Sequence, residues 1–229
     1  MTKQIALITG AKGGLGTVVT QSFLDAGWHV IGTSRKIDDA AFQDERFEGI
    51  PADLASAADA AHLAADIIAK YQKLDALIHL AGGFAGGKPI HETDDDTWDS
   101  MLEVNLRAGV NILRAVIPHM REQKHGRIVA VGSRAGVEPS ANISAYSASK
   151  AALVSLVKTA ALENRKLGIT ANVILPGTID TAANRASDPD GDRSKWVSPQ
   201  RLAALALFLA SEDAGDITGA AIPVYGAGL

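Results

Sequence analysis

Short runs of Val, Ile and Leu alternate along the chain with longer segments whose apolar residues recur every three or four positions. The short runs predict seven strands, at 4–9, 29–33, 47–52, 76–80, 127–131, 170–175 and 221–224. The longer segments predict helices at 15–26, 56–71, 96–121, 143–166 and 199–210. Strands that are apolar on both faces and separated by helices are typical of a parallel sheet covered on both sides. We therefore expect an α/β fold, a doubly wound Rossmann-type sheet of about seven strands, in one domain spanning residues 1–229.

One long segment, residues 178–198, lacks this periodicity and is rich in Asp, Arg, Ser, Gly and Pro. This composition predicts a mobile surface loop. In such a fold a loop of this kind often covers a ligand.

Composition narrows the class of function. The 229 residues are 47% hydrophobic and 21% charged, which is enough to bury a substantial core. A net charge of −4 without runs of like charge offers nothing to nucleic acid or an anionic membrane, so we expect a small-molecule ligand. The chain has no cysteine, its histidines are scattered, and no apolar run approaches a membrane span. These features predict a cytoplasmic protein with no metal site.

A glycine-rich turn follows the first predicted strand, with glycines at Gly10, Gly14 and Gly16. Glycines here permit a tight turn and close approach of a pyrophosphate, and the N-terminus of the following helix favours negative charge. The spacing differs from the common GxGxxG fingerprint, but the strand before it and the helix after it favour phosphate binding over a purely structural turn.

Tyr146 and Lys150 are four positions apart in the predicted helix 143–166, so their side chains lie on the same helical face. A phenol has a reference pKa of about 10, and a neighbouring ammonium stabilises its anion. The pair therefore suggests proton transfer to or from an oxygen atom. Taken alone, the same spacing also occurs by chance on solvated helix faces.

Together these motifs resemble the short-chain dehydrogenase/reductase family, in order and separation, along nearly the full chain. The matching positions are the TGxxxGxG turn at residues 9–16, Asn105, Ser133, the YxxxK pair of Tyr146 and Lys150, and the turn formed by Pro176, Gly177 and Thr178. In general organisation the chain is most similar to the 3-oxoacyl carrier-protein reductases. It departs from the family where NNAG is usual, since it has His79, Leu80, Ala81 and Gly82, which puts the polar contacts of the usual asparagine in doubt.

The resemblance implies roles for four side chains. Tyr146 would protonate the carbonyl oxygen, and Lys150 would lower the tyrosine pKa and bind the nicotinamide ribose. Ser133 would hold and polarise the carbonyl, as an oxyanion-stabilising donor does. Asn105 would position a water that links Lys150 to solvent. The structural alternatives are a Ser133 that caps a loop and an Asn105 that bends a helix.

Cofactor choice is predicted from the end of the second strand, where Ser34 and Arg35 stand in place of an acidic residue. A basic side chain there favours NADP over NAD, because it attracts the 2′-phosphate. Lys12 would add a second cation, although Lys12 and Arg35 are also compatible with ordinary solvated charges. The predicted cofactor-binding residues are Gly10, Lys12, Gly14, Leu15, Gly16, Ser34, Arg35, Asp53, Leu54, Ala81, Gly82, Tyr146, Lys150, Pro176, Gly177, Thr178, Ile179 and Thr181.

The substrate is less well defined. Candidate pocket residues are Gly83, Phe84, the stretch 135–143, Asn184, Arg185 and Trp196. Arg185 and Arg193 could bind an acidic substrate, but neighbouring aspartates balance their charge. The loop 178–198 is short for a large hydrophobic substrate, which favours a small or extended carbonyl compound.

Two alternatives remain open. Segments 81–87 (AGGFAGG) and 175–185, with Trp196 beyond them, look like dihydropteridine reductases. Those enzymes, however, lack residues matching Ser133 and Asn105 and carry an acidic residue for NADH. A non-catalytic cofactor-binding sensor would have no chemical need for the four polar residues. We expect a ketone reductase that, like similar proteins, forms a homodimer or homotetramer through helices 96–121 and 143–166.

Overall fold

A seven-stranded sheet, in the order β3-β2-β1-β4-β5-β6-β7, forms the centre of the molecule. The computed structural model describes residues 3–227, and neighbouring strands pair in parallel throughout. The strands are β1 Ile5–Thr9, β2 His29–Ser34, β3 Phe47–Pro51, β4 Ala76–His79, β5 Gly126–Val131, β6 Ile169–Pro176 and β7 Ala221–Val224. All seven predicted strands are therefore confirmed, and the predicted doubly wound fold with them.

Helices cover both faces of the sheet. They are α1 Gly16–Asp25, α2 Ala57–Tyr71, α3 Asp95–Leu102, α4 Ala108–Gln123, α5 Ser144–Asn164, α6 Ala182–Ser187 and α7 Pro199–Ala210. Side chains alternate across β1, so Ile5 and Leu7 pack with α2, α4 and α5, whereas Ala6 and Ile8 pack with α1 and α7. Within residues 3–227, none of the helices has the combination of length and hydrophobicity that a membrane span requires.

The helix predicted at 96–121 is present, but it contains a π turn that was not predicted. The structure has α3, then a single π-helical turn at Glu103–Arg107, then α4. A π turn accommodates an extra residue within the helix, a feature frequent at functional sites. Here the turn contains Asn105, whose side chain is completely buried.

The segment 178–198 is also more ordered than predicted. It contains the short helix α6, whose first turn is capped by Thr181, since the Thr181 hydroxyl accepts a hydrogen bond from the backbone N–H of Asn184. Ile179 and Val197 form a parallel bridge that brings the two ends of the segment together. The segment is thus a folded flap rather than an irregular loop.

Because every strand is parallel, the carboxyl ends of β1, β4, β5 and β6 meet at one edge of the sheet. The chain order reverses between β1 and β4, and ligands of open α/β sheets bind at such a switch point. The residues that follow these strands therefore converge on one site.

Candidate active site

The glycine-rich turn folds back tightly between β1 and α1. Gly10 adopts a left-handed φ of 69°, and a Cβ atom placed there would lie 3.0 Å from the backbone nitrogen of Ala81. A Cβ on Gly16 would lie 2.0 Å from the carbonyl oxygen of Gly10. At Gly14 the space is taken by the Thr181 side chain, whose Cβ would be 3.0 Å away. No described side chain caps the first turn of α1, although the Thr17 N–H already donates a 2.9 Å hydrogen bond to the Gly13 carbonyl. The positive end of the helix dipole favours an anionic ligand at this terminus.

Three basic side chains border this turn. Arg35 and Lys36 follow the end of β2 and are exposed, and Lys12 is exposed in the glycine-rich turn. No ion pair involves any of the three within residues 3–227. The Ser34 hydroxyl donates a 3.3 Å hydrogen bond to the carbonyl of Lys36, which shapes the backbone here. The three basic side chains give this part of the surface a positive charge.

Asp53 and Leu54, two of the predicted cofactor-binding residues, follow β3. The Asp53 carboxylate accepts a hydrogen bond of 3.1 Å from the backbone N–H of Ala55. Leu54 is buried in the core, and its carbonyl accepts a 2.9 Å hydrogen bond from the Asn111 side chain. The backbone at Leu54 is therefore fixed against α4, and contact of Asp53 and Leu54 with the cofactor stays a prediction.

His79 occupies the position of the usual family asparagine and is fully buried at the end of β4. Thr9 Oγ1 accepts hydrogen bonds from the backbone N–H groups of Leu80 and Ala81, both at 3.1 Å. Its own hydrogen is thus directed to His79 Nδ1, 2.9 Å away, an assignment that follows from the hydrogen-bond network. Burial, followed by the charge of Lys150, lowers the pKa of His79 to about 3. His79 therefore makes a polar contact with Thr9, with a neutral imidazole as the acceptor.

Asn105 holds the segment that follows β4. Its side-chain oxygen accepts a hydrogen bond from the Gly83 N–H, and its side-chain nitrogen donates to the Gly83 carbonyl, both at 3.0 Å. The same nitrogen lies 3.1 Å from the Ser149 hydroxyl. Gly82 lies between Asn105 and Lys150, because a Cβ there would be 2.8 Å from Asn105 Oδ1 and 3.1 Å from Lys150 Nζ. The predicted water between Asn105 and Lys150 stays a prediction.

Lys150 is buried in the second turn of α5. Its ammonium donates a 3.2 Å hydrogen bond to the carbonyl of Val131, the last residue of β5. Burial lowers the pKa of Lys150 to about 8. The side chain is therefore close to its titration midpoint in mildly alkaline solution.

Tyr146 and Ser133 lie at the same edge of the sheet as Asn105 and Lys150, and they are hydrogen-bonded to each other. Burial raises the pKa of the Tyr146 phenol, and a hydrogen bond with the Ser133 side chain opposes that rise. The net shift is therefore upward, opposite to the expected lowering, because burial outweighs the hydrogen bond with Ser133. The Ser133 hydroxyl also accepts a 3.2 Å hydrogen bond from the N–H of Ala135, so the loop-capping role and the bond to Tyr146 coexist.

A cavity of about 750 Å³ opens at this edge of the sheet. Ser133, Tyr146 and Lys150 line it, as do these predicted cofactor residues: Leu15, Gly82, Pro176, Gly177, Thr178 and Ile179. Of the predicted substrate residues, the lining includes Gly83, Phe84, Ala135, Glu138, Ser140, Ile143, Asn184 and Trp196. The Phe84 and Tyr146 rings meet edge to face, with their centroids 5.0 Å apart.

Arg185 does not line this cavity. Its guanidinium binds the Asp180 carboxylate through two hydrogen bonds, of 2.6 and 2.8 Å. Arg193 is also absent from the lining, in the 3₁₀ turn Arg193–Lys195. The hypothesis that these arginines bind an acidic substrate therefore finds no support in the geometry.

Several lining residues were not predicted from the sequence, among them Arg134, Asp188 and Tyr225. Arg134 stacks on the Tyr225 ring, 4.7 Å from its centroid, and forms a 2.7 Å ion pair with Glu138. Their positions in the sequence could have indicated that they line the cavity, because Arg134 follows β5 and Tyr225 follows β7 at the same edge of the sheet.

Comparison with known proteins gives concordant results. The family model for the short chain dehydrogenase matches residues 4–192. The acetoacetyl-CoA reductase of Paracoccus denitrificans is 33% identical, and the alignment covers 94% of this chain and 94% of that protein. The 3-oxoacyl-acyl-carrier-protein reductase FabG of Escherichia coli (strain K12) is 30% identical, with 97% and 96% covered. Among solved structures, ElxO with NADP bound has a TM-score of 0.92 at 26% identity, covering 99% of this chain and 98% of that one.

Proposed function

Since the chain belongs to the short-chain dehydrogenase/reductase family of oxidoreductases, we propose that it reduces a ketone to an alcohol with NADPH. One observation carries the proposal. Ser133, Tyr146 and Lys150 line one cavity at the switch point of the sheet, and the buried Asn105 holds its wall. These groups suit proton delivery to a carbonyl oxygen.

The residues present fit a dinucleotide phosphate. The glycine-rich turn leaves no room for a Cβ at Gly10 or Gly16, and α1 presents its N-terminus beyond it. Arg35, with Ser34 and Lys12, would hold the 2′-phosphate. When bound, NADPH supplies the hydride. ElxO, which has a very similar fold, has been solved with NADP bound, and this agrees with the proposed preference.

Tyr146 delivers the proton to the carbonyl oxygen. Its raised pKa keeps the phenol protonated at neutral pH, so the proton is available in the direction of reduction. The Ser133 hydroxyl donates a hydrogen bond to the same oxygen and stabilises the charge that develops there. As the proton leaves the phenol, the Lys150 ammonium stabilises the phenolate.

A ketone is the proposed substrate rather than a quinonoid dihydropterin. A serine hydroxyl at position 133 suits the polarisation of a true carbonyl, whereas a quinonoid ring accepts hydride and a proton without a polarised carbonyl. The two named relatives act, by name, on acetoacetyl-CoA and on 3-oxoacyl groups. Both are keto compounds.

We also propose that two or four copies of the chain associate. Family members typically form oligomers. An open groove of about 520 Å³ runs along α3 and α4, and its lining includes Leu102, Leu106 and Val110. Multi-angle light scattering tests this directly, because a single monomeric mass at micromolar concentration would overturn it.

The central test replaces Tyr146 with Phe. The variant keeps the ring, so the fold and NADPH affinity should persist, but ketone turnover should fall at least roughly 100-fold because the proton donor is gone. Tyr71→Phe is a matched control, since Tyr71 bonds Glu48 2.6 Å away, far from the cavity. Near-normal turnover in the Tyr146 variant would contradict the mechanism.

A second measurement separates the alternatives. We expect kcat/KM with NADPH to be higher for acetoacetyl-type ketones than for quinonoid dihydropterin. A clear preference for the pterin, insensitive to Ser133→Ala, would favour the dihydropteridine reductase function instead. Tight NADPH binding without turnover of any ketone, aldehyde or quinonoid compound would favour a sensor.

A further inference from the structure

Phe84 places a large apolar ring in water beside the proposed proton donor. It is 67% exposed and belongs to neither hydrophobic core cluster. Its ring meets the Tyr146 ring edge to face, with centroids 5.0 Å apart and planes at 75°. Burying such a ring against an apolar surface is favourable, so its exposure at the cavity mouth leaves a face for a ligand.

The segment that carries Phe84 is held at both ends. Asn105 binds the backbone N–H and carbonyl of Gly83 on one side. On the other, the Gly87 N–H donates a 2.7 Å hydrogen bond to the carbonyl of Asn142. These bonds fix the backbone on both sides of Phe84. The main chain therefore holds the Phe84 ring near Tyr146.

Other apolar side chains complete the wall. Trp196, Ile143 and Tyr225 line the same cavity as Phe84. Trp196 is half-buried and packs against Gly191, where a Cβ would lie 2.6 Å from the indole. The cavity therefore presents several aromatic surfaces near Tyr146.

The charged groups of the lining disfavour an anion. Apart from Lys150, its cations are Arg134 and Lys195, which pair with Glu138 at 2.7 Å and Asp192 at 3.5 Å. A third carboxylate, Asp188, lines the cavity and has no ion-pair partner within residues 3–227. Arg134 and Lys195 are thus already compensated, and Lys150 is buried against the carbonyl of Val131. A phosphate or carboxylate that approaches Asp188 would meet unpaired negative charge.

We propose that Phe84 and Trp196 select a neutral ketone that carries a flat aromatic group. Acyl thioesters on an anionic carrier are disfavoured, in contrast to the relatives named for such substrates. Phe84 determines specificity by stacking on the aromatic group while Tyr146 and Ser133 meet the carbonyl. This inference rests on the proposed ketone reductase activity.

Three ketones test it: ethyl benzoylacetate, which is neutral and aromatic, ethyl acetoacetate, which is neutral and aliphatic, and acetoacetyl-CoA, which is anionic. We expect kcat/KM to be roughly tenfold higher for the benzoyl ester than for the aliphatic ester. Acetoacetyl-CoA should be the poorest of the three. Equal values for the two esters, or a preference for acetoacetyl-CoA, would overturn the inference while leaving the ketone reductase function intact. Reduction of none of the three would overturn both.

Phe84→Ala should bring the ratio of the two esters close to one, mainly through a higher KM for the benzoyl ester. Ile90→Ala is a matched control, because Ile90 is also 67% exposed but does not line the cavity. NADPH binding by fluorescence reports whether each variant is folded. A folded Phe84→Ala protein that keeps the wild-type ratio would contradict the role of Phe84.

Asp188→Asn tests the electrostatic part of the inference independently of Phe84. Removing the unpaired carboxylate should raise kcat/KM for acetoacetyl-CoA several-fold and change that for ethyl acetoacetate less. An unchanged ratio of these two values would contradict the electrostatic part of the inference.

Discussion

Thr9 Oγ1 and His79 Nδ1 lie 2.9 Å apart, where β1 and β4 run side by side. The bond joins the residue before the glycine-rich turn to the residue before the segment Leu80–Gly83. It requires a neutral imidazole, because a protonated Nδ1 could not accept the hydrogen of Thr9. The glycine-rich turn and the segment that follows β4 are therefore connected through one buried histidine.

Because His79 must stay neutral, we expect the folded protein to lose stability in acid. The pKa of His79 is lowered to about 3 in the folded protein by burial, against an ordinary value of 6.5. Stability is thus complete above pH 6.5 and declines as the pH falls toward 3, because the unfolded chain binds the proton first. At about pH 5 the loss amounts to about 2 kcal/mol. His79→Asn, which restores the usual family residue, should reduce this loss.

Urea unfolding at about pH 7.5 and about pH 5 measures the difference. His62→Asn is the control, since His62 is exposed on α2 and should leave the pH dependence as in the wild type. The same pH dependence in the His79 variant and the wild type would show that His79 does not carry the effect.

Arg35→Asp should reverse the cofactor preference. The substitution replaces an attractive charge near the 2′-phosphate with a repulsive one, so the Kd for NADPH should rise at least roughly tenfold, with little penalty for NADH. Fluorescence titration with both cofactors gives the ratio, and Arg201→Asp, an exposed arginine in α7, controls for net charge. A wild-type protein that already prefers NADH would refute the assignment.

Lys150 should set the alkaline limit of ketone reduction. Burial lowers its pKa to about 8, so the ammonium loses its proton as the pH rises through that value. A neutral amine no longer stabilises the phenolate, and kcat/KM should fall roughly tenfold per pH unit above the break. Lys150→Arg keeps a permanent cation and should abolish the break at a lower maximum. If the break in the pH profile persists in this variant, a titratable group other than Lys150 causes it.

Gly16→Ala should disrupt the cofactor turn. Its Cβ would lie 2.0 Å from the Gly10 carbonyl oxygen, a distance that only a backbone shift can relieve. We expect NADPH affinity to fall at least roughly tenfold, together with a lower Tm. Gly13→Ala is the milder comparison, because its Cβ would be 3.1 Å from the same oxygen. Equal NADPH affinity in the two variants would contradict the steric explanation.

The apolar pattern predicted all seven strands to within one residue at each end. Strands buried on both faces leave continuous runs of Val, Ile and Leu between turn residues, so their limits are visible in the sequence. The π turn at Glu103–Arg107 was not predicted, because one extra residue shifts the helical period only slightly and the flanking segments still read as a helix.

Contacts between residues far apart in the sequence were also not predicted. Asn105 was singled out by resemblance, but its two bonds to Gly83 join positions 22 residues apart and follow from the bulge in the helix. Arg185 was considered for substrate binding, and its pairing with Asp180 depends on the turn between β6 and α6. Neither relationship is encoded in local periodicity.

The order of the strands also governs the order of events during folding. β1 is complete after nine residues of chain, yet one of its two partners, β4, begins about 70 residues later, at Ala76. Closing so long a loop costs entropy before any pairing repays it, so parallel sheets of this kind form slowly. The glycine-rich turn meets Ala81 only when this closure is complete. During refolding, the ability to bind a dinucleotide should therefore emerge together with the β1–β4 pairing and not with the earlier appearance of helix.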